Sequence, residues 1–164
     1  MTALMWASLE GHTEVVKLLL DKGALLDEKD AYSGRTALMW ASKEGRTEVA
    51  TLLFDTMLKR LLEKGASLDQ RDKDGETLLM KANKYGHMEL VQRLLDKGAL
   101  FDEKDMEWRT ALMVASMRGR TEVVQLLLDK GALLDEKDED GRTALMRASE
   151  NGHTEVVKLL LDKA

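Results

Sequence analysis

The chain has 164 residues, 44% hydrophobic and 34% charged, with a net charge of −5 and no cysteine. Disulfides and thiolate metal sites are thereby excluded, and the intermingled charges lack the basic stripe that nucleic-acid binding requires. No apolar run approaches membrane-spanning length and no secretory leader opens the chain, so an intracellular, cytoplasmic setting without membrane contact is expected.

One tetrapeptide recurs along the sequence. It reads Thr-Ala-Leu-Met from Thr2, Thr36, Thr110 and Thr143, and Thr-Leu-Leu-Met from Thr77, with Thr-to-Thr spacings of 34, 41, 33 and 33. Such a period marks a stack of units, each burying its apolar face only against its neighbours. The chain is therefore expected to be a single array over 1–164, with repeats at about 1–34, 35–75, 76–108, 109–141 and an incomplete 142–164. There is no proline, and all twelve glycines fall into three classes. They lie nine residues after each Thr, at the head of a Gly-Ala pair, or two residues before the next Thr, and each class marks a turn.

Repeat one opens with Trp6, four residues after Thr2, and closes in a tip at 31–33 that carries Tyr32 and one residue more than the other tips. Repeat two places Trp40 at the position of Trp6, and then departs from the pattern. Its second helix, starting near Thr47, holds about eight extra residues at 56–63 with no glycine or proline. The helix is expected to lengthen by about 12 Å. Leu53, Met57 and Leu61 continue one apolar stripe, with Leu58 and Leu62 alongside, and Lys59, Arg60, Glu63 and Lys64 supply the polar side. Eight residues are about 2.2 turns, so the facing is nearly but not fully preserved. Either a neighbouring loop, another molecule or a break into two helices must deal with that stripe.

Repeat three contributes Tyr85 just before its inter-helix glycine, and its tip runs through 73–74. Repeat four shows the unit most clearly. Leu112, Ala115 and Ser116 fall at helical spacing, with small residues that admit a neighbouring helix. Gly119 is expected to cap that helix, and Thr121 to start the next as N-cap with Glu122 in its first turn. Val123 to Leu128 is apolar over most of its circumference, and Gly131 ends it. Met106 and Trp108 stand at the preceding tip. Because Trp108 replaces a glycine, and a bulky residue avoids positive φ, that turn is expected to differ from the others.

The pattern G-R-T-A-L-M-x-A-S-x-x-G-x-T-E-V-V-x-L-L-L-D-K-G-A, intact around 109–132 and 141–163, resembles the ankyrin repeat. The resemblance covers essentially the whole chain. It implies an all-α solenoid of about five helix-turn-helix units with hairpin-like loops, and a partner-binding concave face lined by first helices and hairpins. The usual Thr-Pro-Leu-His is Thr-Ala-Leu-Met here, and the usual asparagine after Gly-Ala is aspartate at Asp27, Asp69, Asp102 and Asp135. The array starts without a preceding hairpin and stops within the pattern, as expected of a piece of a longer array or of a consensus-like, engineered chain. Apolar surface is expected to stay open at Leu4 or Leu160.

No catalytic constellation, cofactor motif or metal cluster emerges. His12, His87 and His153 share one register but lie in different repeats, where positions 46 and 120 are arginine, so each reads as a turn residue that hydrogen-bonds backbone. The Asp-Glu-Lys-Asp runs lack the glycine and terminal glutamate of a calcium loop and read as solvated hairpin edges. The expectation is a non-catalytic module that binds a protein partner, with no cofactor, nucleic acid or membrane. On the concave face the candidate contacts are Trp6, Trp40, Tyr85, Met117 and Arg118; the bland reading of Trp6 and Trp40 is mutual packing. At the tips they are Tyr32, Met106 and Trp108. Self-association through the ends, or through Met57, Leu58, Leu61 and Leu62, is a further expectation. The alternative is a structural spacer or engineered scaffold with no native ligand.

Overall fold

A computed structural model describes residues 1–64, 67–71 and 74–164, apart from the Leu62 side chain; the remaining positions, including Lys73 of one predicted tip, lie outside the described residues. The chain forms two compact units, Met1–Ala66 and Ser67–Ala164. In unit 1 the helices are α1 (Ala3–Glu10), α2 (Thr13–Asp21), α3 (Ala37–Lys43) and α4 (Thr47–Glu63). In unit 2 they are α5 (Leu78–Lys84), α6 (Met88–Asp96), α7 (Ala111–Met117), α8 (Thr121–Asp129), α9 (Ala144–Glu150) and α10 (Thr154–Lys163). No strand occurs among the described residues.

The recurring threonine explains where each first helix begins. Thr2, Thr36, Thr77, Thr110 and Thr143 all hold extended backbone, and each hydroxyl accepts the amide of the methionine three residues on. That satisfies one of the orphan donors of a helix start. The second helices have no such cap: Thr121 is the first helical residue of α8, and the N-cap position is Arg120, without a side-chain cap bond. The expected role of Thr121 is thus corrected. A tight turn leaves no room for an extended N-cap, because Gly119 closes α7 and Arg120 N–H already donates to Ala115 O at 2.9 Å. Helices α2, α6 and α8 end on Gly-Ala pairs, where Ala24, Ala99 and Ala132 donate back to Leu19, Leu94 and Leu127.

Within each unit, first helices pack on first helices and second on second: α1 on α3 and α2 on α4 in unit 1, α5–α7–α9 and α6–α8–α10 in unit 2. Unit 1 buries Leu4, Met5, Val16 and Leu20 against Ala37, Ala41, Val49, Ala50 and Leu53. Unit 2 buries Leu79, Met80, Leu90, Leu94, Leu112, Met113, Leu127 and Leu160. Leu4 and Leu160 are each 2% exposed, so the expectation that they form the open surface is overturned.

A second device joins neighbouring repeats. Within each unit, Arg46, Arg120 and His153, which follow inter-helix glycines, reach back over Gly11, Gly86 and Gly119 of the repeat before. Arg46 Nε donates to Leu9 O at 3.1 Å, and His153 Nε2 lies 3.0 Å from Met117 O. A Cβ on Gly119 would stand 2.6 Å from the His153 ring, so that glycine serves both its left-handed φ of +68° and the close approach of the next repeat.

His87 occupies the same register and is 5% exposed. Burial pushes its pKa down to about 4, and the nearby Arg120 charge adds to the shift. The neutral imidazole is therefore favoured by folding. Its contribution is complete above the unfolded value of 6.5 and is lost as pH falls towards 4. Unit 2 should lose about 2 kcal/mol over that range. Urea denaturation at pH 7 and pH 4.5 checks this, and a His87→Leu variant should show a smaller difference between the two.

The lengthened second helix is present. α4 runs 17 residues where α2 has 9. Arg60, assigned from the sequence to the polar side, turns back instead. Its guanidinium donates to Ala24 O at 2.8 Å and Leu20 O at 3.1 Å, capping the carbonyl end of α2. Leu58 is 5% exposed, so it belongs to the chain's own packing rather than to an open interface stripe. Met57 and Leu61 are half-buried. Leu62 has no described side chain.

Candidate partner-binding surface

Each described hairpin is built around one aspartate. Asp30, Asp105 and Asp138 open their loops by donating to Arg35, Arg109 and Arg142 carbonyls, and all three are 5% exposed. These are the last residues of the Asp-Glu-Lys-Asp runs, read from the sequence as solvated edges. The structure corrects that reading: a carboxylate is the side chain that accepts several converging turn amides. Asp30 accepts Tyr32, Ser33 and Arg35 N–H at 3.0, 2.7 and 3.1 Å, as well as the Ser33 hydroxyl. Those bonds, the Ser33 hydroxyl first, hold its carboxyl well below the usual carboxylate range. Asp138 accepts Asp140 and Arg142 N–H and the Arg147 guanidinium at 2.6 Å. Burial there opposes ionisation, but the Arg142 amide and Arg147 outweigh it, and the pKa is lowered.

This anchor explains the position four residues after the Thr, which is Trp40 in repeat two, Val114 in repeat four and Arg147 in repeat five. Trp40 Nε1 donates to Asp30 Oδ2 at 3.2 Å, and Arg147 does the same work on Asp138. Where the position is Val114, Arg109 supplies the donor to Asp105 at 2.8 Å. The position varies in chemistry, but Trp40 and Arg147 each close a carboxylate. Trp40 is half-buried, with Arg35 Cζ 5.0 Å and Lys43 Nζ 5.3 Å from its ring centroid. Trp6 is 55% exposed.

The tips of unit 2 form a connected row. Met106 N–H donates to Asp74 O at 3.4 Å, and Glu139 N–H to Glu107 O at 3.1 Å. Met106 and Trp108 stand together on the middle tip, 68% and 62% exposed. In unit 1, Tyr32 is 98% exposed on its own tip. There the extra residue is absorbed by a wider turn, Gly34 N–H to Asp30 O at 3.1 Å. Tyr85 and Arg118 hold corresponding positions at the carboxyl ends of α5 and α7; Tyr85 and Met117 are half-buried and Arg118 is exposed.

The turn at Trp108 does not differ, contrary to expectation. Trp108 adopts φ +61°, where the tip glycines Gly75 and Gly141 adopt +71° and +74°. Trp108 N–H donates to Asp105 O at 3.1 Å, as Gly141 does to Asp138 at 3.0 Å. Two amides on the Asp105 carboxylate, from Glu107 and Arg109, fix the loop so firmly that the side chain takes the strain. Lys104 Nζ sits 5.6 Å from its ring centroid, and a shallow hollow beside it is lined by Glu136, Lys137, Glu139 and Gly141.

Among the described residues no three His, Asp or Glu side chains group to hold a metal ion, and no helix is long and apolar enough to cross a membrane. The sequence profile of a family described as ankyrin repeats (3 copies) matches residues 1–58, 54–138 and 100–164. No curated protein matches the chain. Repeats of this family generally serve as protein–protein interaction modules and are generally non-enzymatic. With capped helix pairs, aspartate-anchored loops and a profile match along its whole length, this all-α repeat solenoid belongs to the ankyrin repeat family.

Proposed function

We propose that the chain is a non-catalytic module that binds a protein partner, and that the unit 2 tips carrying Met106 and Trp108 are its principal contact. Trp108 carries this reading. A tryptophan in left-handed backbone costs about 1–2 kcal/mol relative to glycine, and the ring gains little burial in return, being 62% exposed. Stability is given up at a position where the other tips keep glycine. Strain combined with an exposed aromatic is what a recognition anchor requires. Lys104 lies over the ring, and Asp135, Glu136, Lys137 and Glu139 line the hollow beside it, so the fitting partner segment offers an apolar side chain flanked by basic residues. Tyr32 and Trp40 of unit 1, and Tyr85, Met117 and Arg118 of unit 2, are secondary contacts in this reading.

The test is a Trp108→Gly variant. It should unfold at higher urea, by about 1 kcal/mol, and lose the proteins that the parent chain captures from a cell lysate. Trp108→Ala should lose the same capture without the gain in stability. A captured set that stays the same with both variants would overturn the assignment of the tip, and a parent chain that captures nothing would leave it a spacer.

A further inference from the structure

We infer that unit 1 carries an anion site, in which Arg35, Lys43 and Trp40 receive a carboxylate from an acidic segment of a protein partner. The observation is an ion pair that other repeats make and repeat two lacks. In two repeats the residue before the recurring Thr pairs with the residue seven places after it. Glu76 pairs with Lys84 at 3.1 Å in repeat three, and Arg142 with Glu150 at 2.6 Å in repeat five. In repeat two the same positions, either side of Thr36, are Arg35 and Lys43. Two cations stand where the fold elsewhere places opposite charges.

The hairpin aspartate does not make up the deficit. In repeat four, where the second position is Met117, Arg109 turns to Asp105 at 2.8 Å and to Glu107 at 2.9 Å. Arg35 has no such outlet, because Asp30 is already full. Its two oxygens accept the Tyr32, Ser33 and Arg35 amides, the Ser33 hydroxyl and the Trp40 indole N–H. Among the described residues neither Arg35 nor Lys43 has a carboxylate partner. Glu44 follows Lys43 in sequence but stands at the C-cap of α3, and adjacent helix positions do not face each other.

Both cations rest on the Trp40 ring instead, Arg35 Cζ 5.0 Å and Lys43 Nζ 5.3 Å from its centroid. A ring face attracts a cation, but two like charges on one ring repel, and at physiological salt that repulsion reaches about 8 Å. An incoming carboxylate relieves it and supplies the acceptor that the guanidinium fork lacks. Arg35 is half-buried and Lys43 exposed, so the carboxylate reaches them without any change in the fold. The partner's acid thus plays the part that Glu76 and Glu150 play within their own repeats. The sign of this site is opposite to that of the hollow beside Trp108, so the two surfaces select different segments.

NMR titration of the isotope-labelled chain tests this through the Trp40 indole N–H, assigned with a Trp40→Phe variant. The probes are a blocked triglutamate peptide and a blocked triglutamine peptide, compared at constant ionic strength. The glutamate peptide should move the Trp40 signal to saturation, and the glutamine peptide should leave it in place. Arg35→Gln and Lys43→Gln should each weaken binding about two- to fivefold. Lys43→Glu should abolish it and raise the urea midpoint, because it restores the ion pair that Arg142 makes with Glu150. Circular dichroism confirms that each variant folds. Equal responses to the two peptides, or none to either, overturn the inference. So does a Lys43→Glu chain that binds the glutamate peptide as the parent does. The readout belongs to unit 1, so failure here is distinct from failure of the Trp108 tip, which lysate capture reads.

Discussion

Asp138→Ala is expected to destabilise unit 2 by about 3 kcal/mol, the larger share of it through donors left behind rather than through lost attraction. The Asp138 side chain is fully buried, and it accepts two backbone amides and the Arg147 guanidinium, itself only 14% exposed. Alanine leaves the Asp140 and Arg142 amides without their acceptor inside a turn whose geometry they defined. Arg147 keeps Asp140 and Glu150, which limits the loss. Asp138→Asn should cost less, about 1–2 kcal/mol, because an amide oxygen still accepts from the backbone while the ion pair is gone. The pH dependence has a definite sign. Folding lowers the Asp138 pKa below 3.8, so its contribution is present above that value and lost only as pH falls further. The parent loop should stay anchored at pH 4, and the alanine variant should show a flatter acid limb. Urea midpoints followed by circular dichroism at pH 7 and pH 3 measure both effects. An unchanged midpoint would mean that solvent serves these donors as well as the carboxylate does.

What could be read from the sequence, and what could not, follows from how local each cause is. Helix pairs, their turn glycines and the lengthened α4 depend on contacts within a few residues, and periodicity displays them directly. The helix-start threonine was harder to place. Thr121 and Thr110 both precede apolar runs, and Thr121 even has the acidic neighbour that favours a helix start. The difference lies in the residue before: a glycine turn in one case, an extended loop end in the other. Trp108 was misjudged because intrinsic φ preference was weighed without the carboxylate that overrides it. Its signal was Asp105, spaced from Arg109 as Asp138 is from Arg142. Trp40 and Arg147 stand at equivalent positions, yet a tryptophan and an arginine share no obvious trait in the sequence. They share one donor N–H aimed at a buried aspartate, which only the folded loop reveals. Arg60 was the least legible, since the carbonyls that it caps are 36 and 40 residues away.

The long α4 gives the second large effect. Leu58→Glu, the natural probe of an exposed apolar stripe, is expected to act as a core lesion and lower stability by about 3–4 kcal/mol at pH 7. Ala50, Phe54 and Leu58 follow one another at helical spacing and are 0%, 0% and 5% exposed, so the buried face of α4 runs on into the extension. A carboxylate on that face has no solvent to ionise into, and its folded pKa must rise above the ordinary glutamate value of about 4.3. The deficit is then full at neutral pH and shrinks as pH falls and the buried acid takes up a proton in the folded state. Leu61→Glu, at a half-buried site one turn nearer the end of α4, should cost about 1 kcal/mol and show little of that recovery. Arg60 holds the same segment to the end of α2, so Arg60→Ala should lie between the two. Urea midpoints for the three variants at pH 7 and pH 5 distinguish the possibilities. A Leu58→Glu chain with the parent's midpoint would show that this face of α4 is open to a partner, because only a solvated glutamate escapes the penalty.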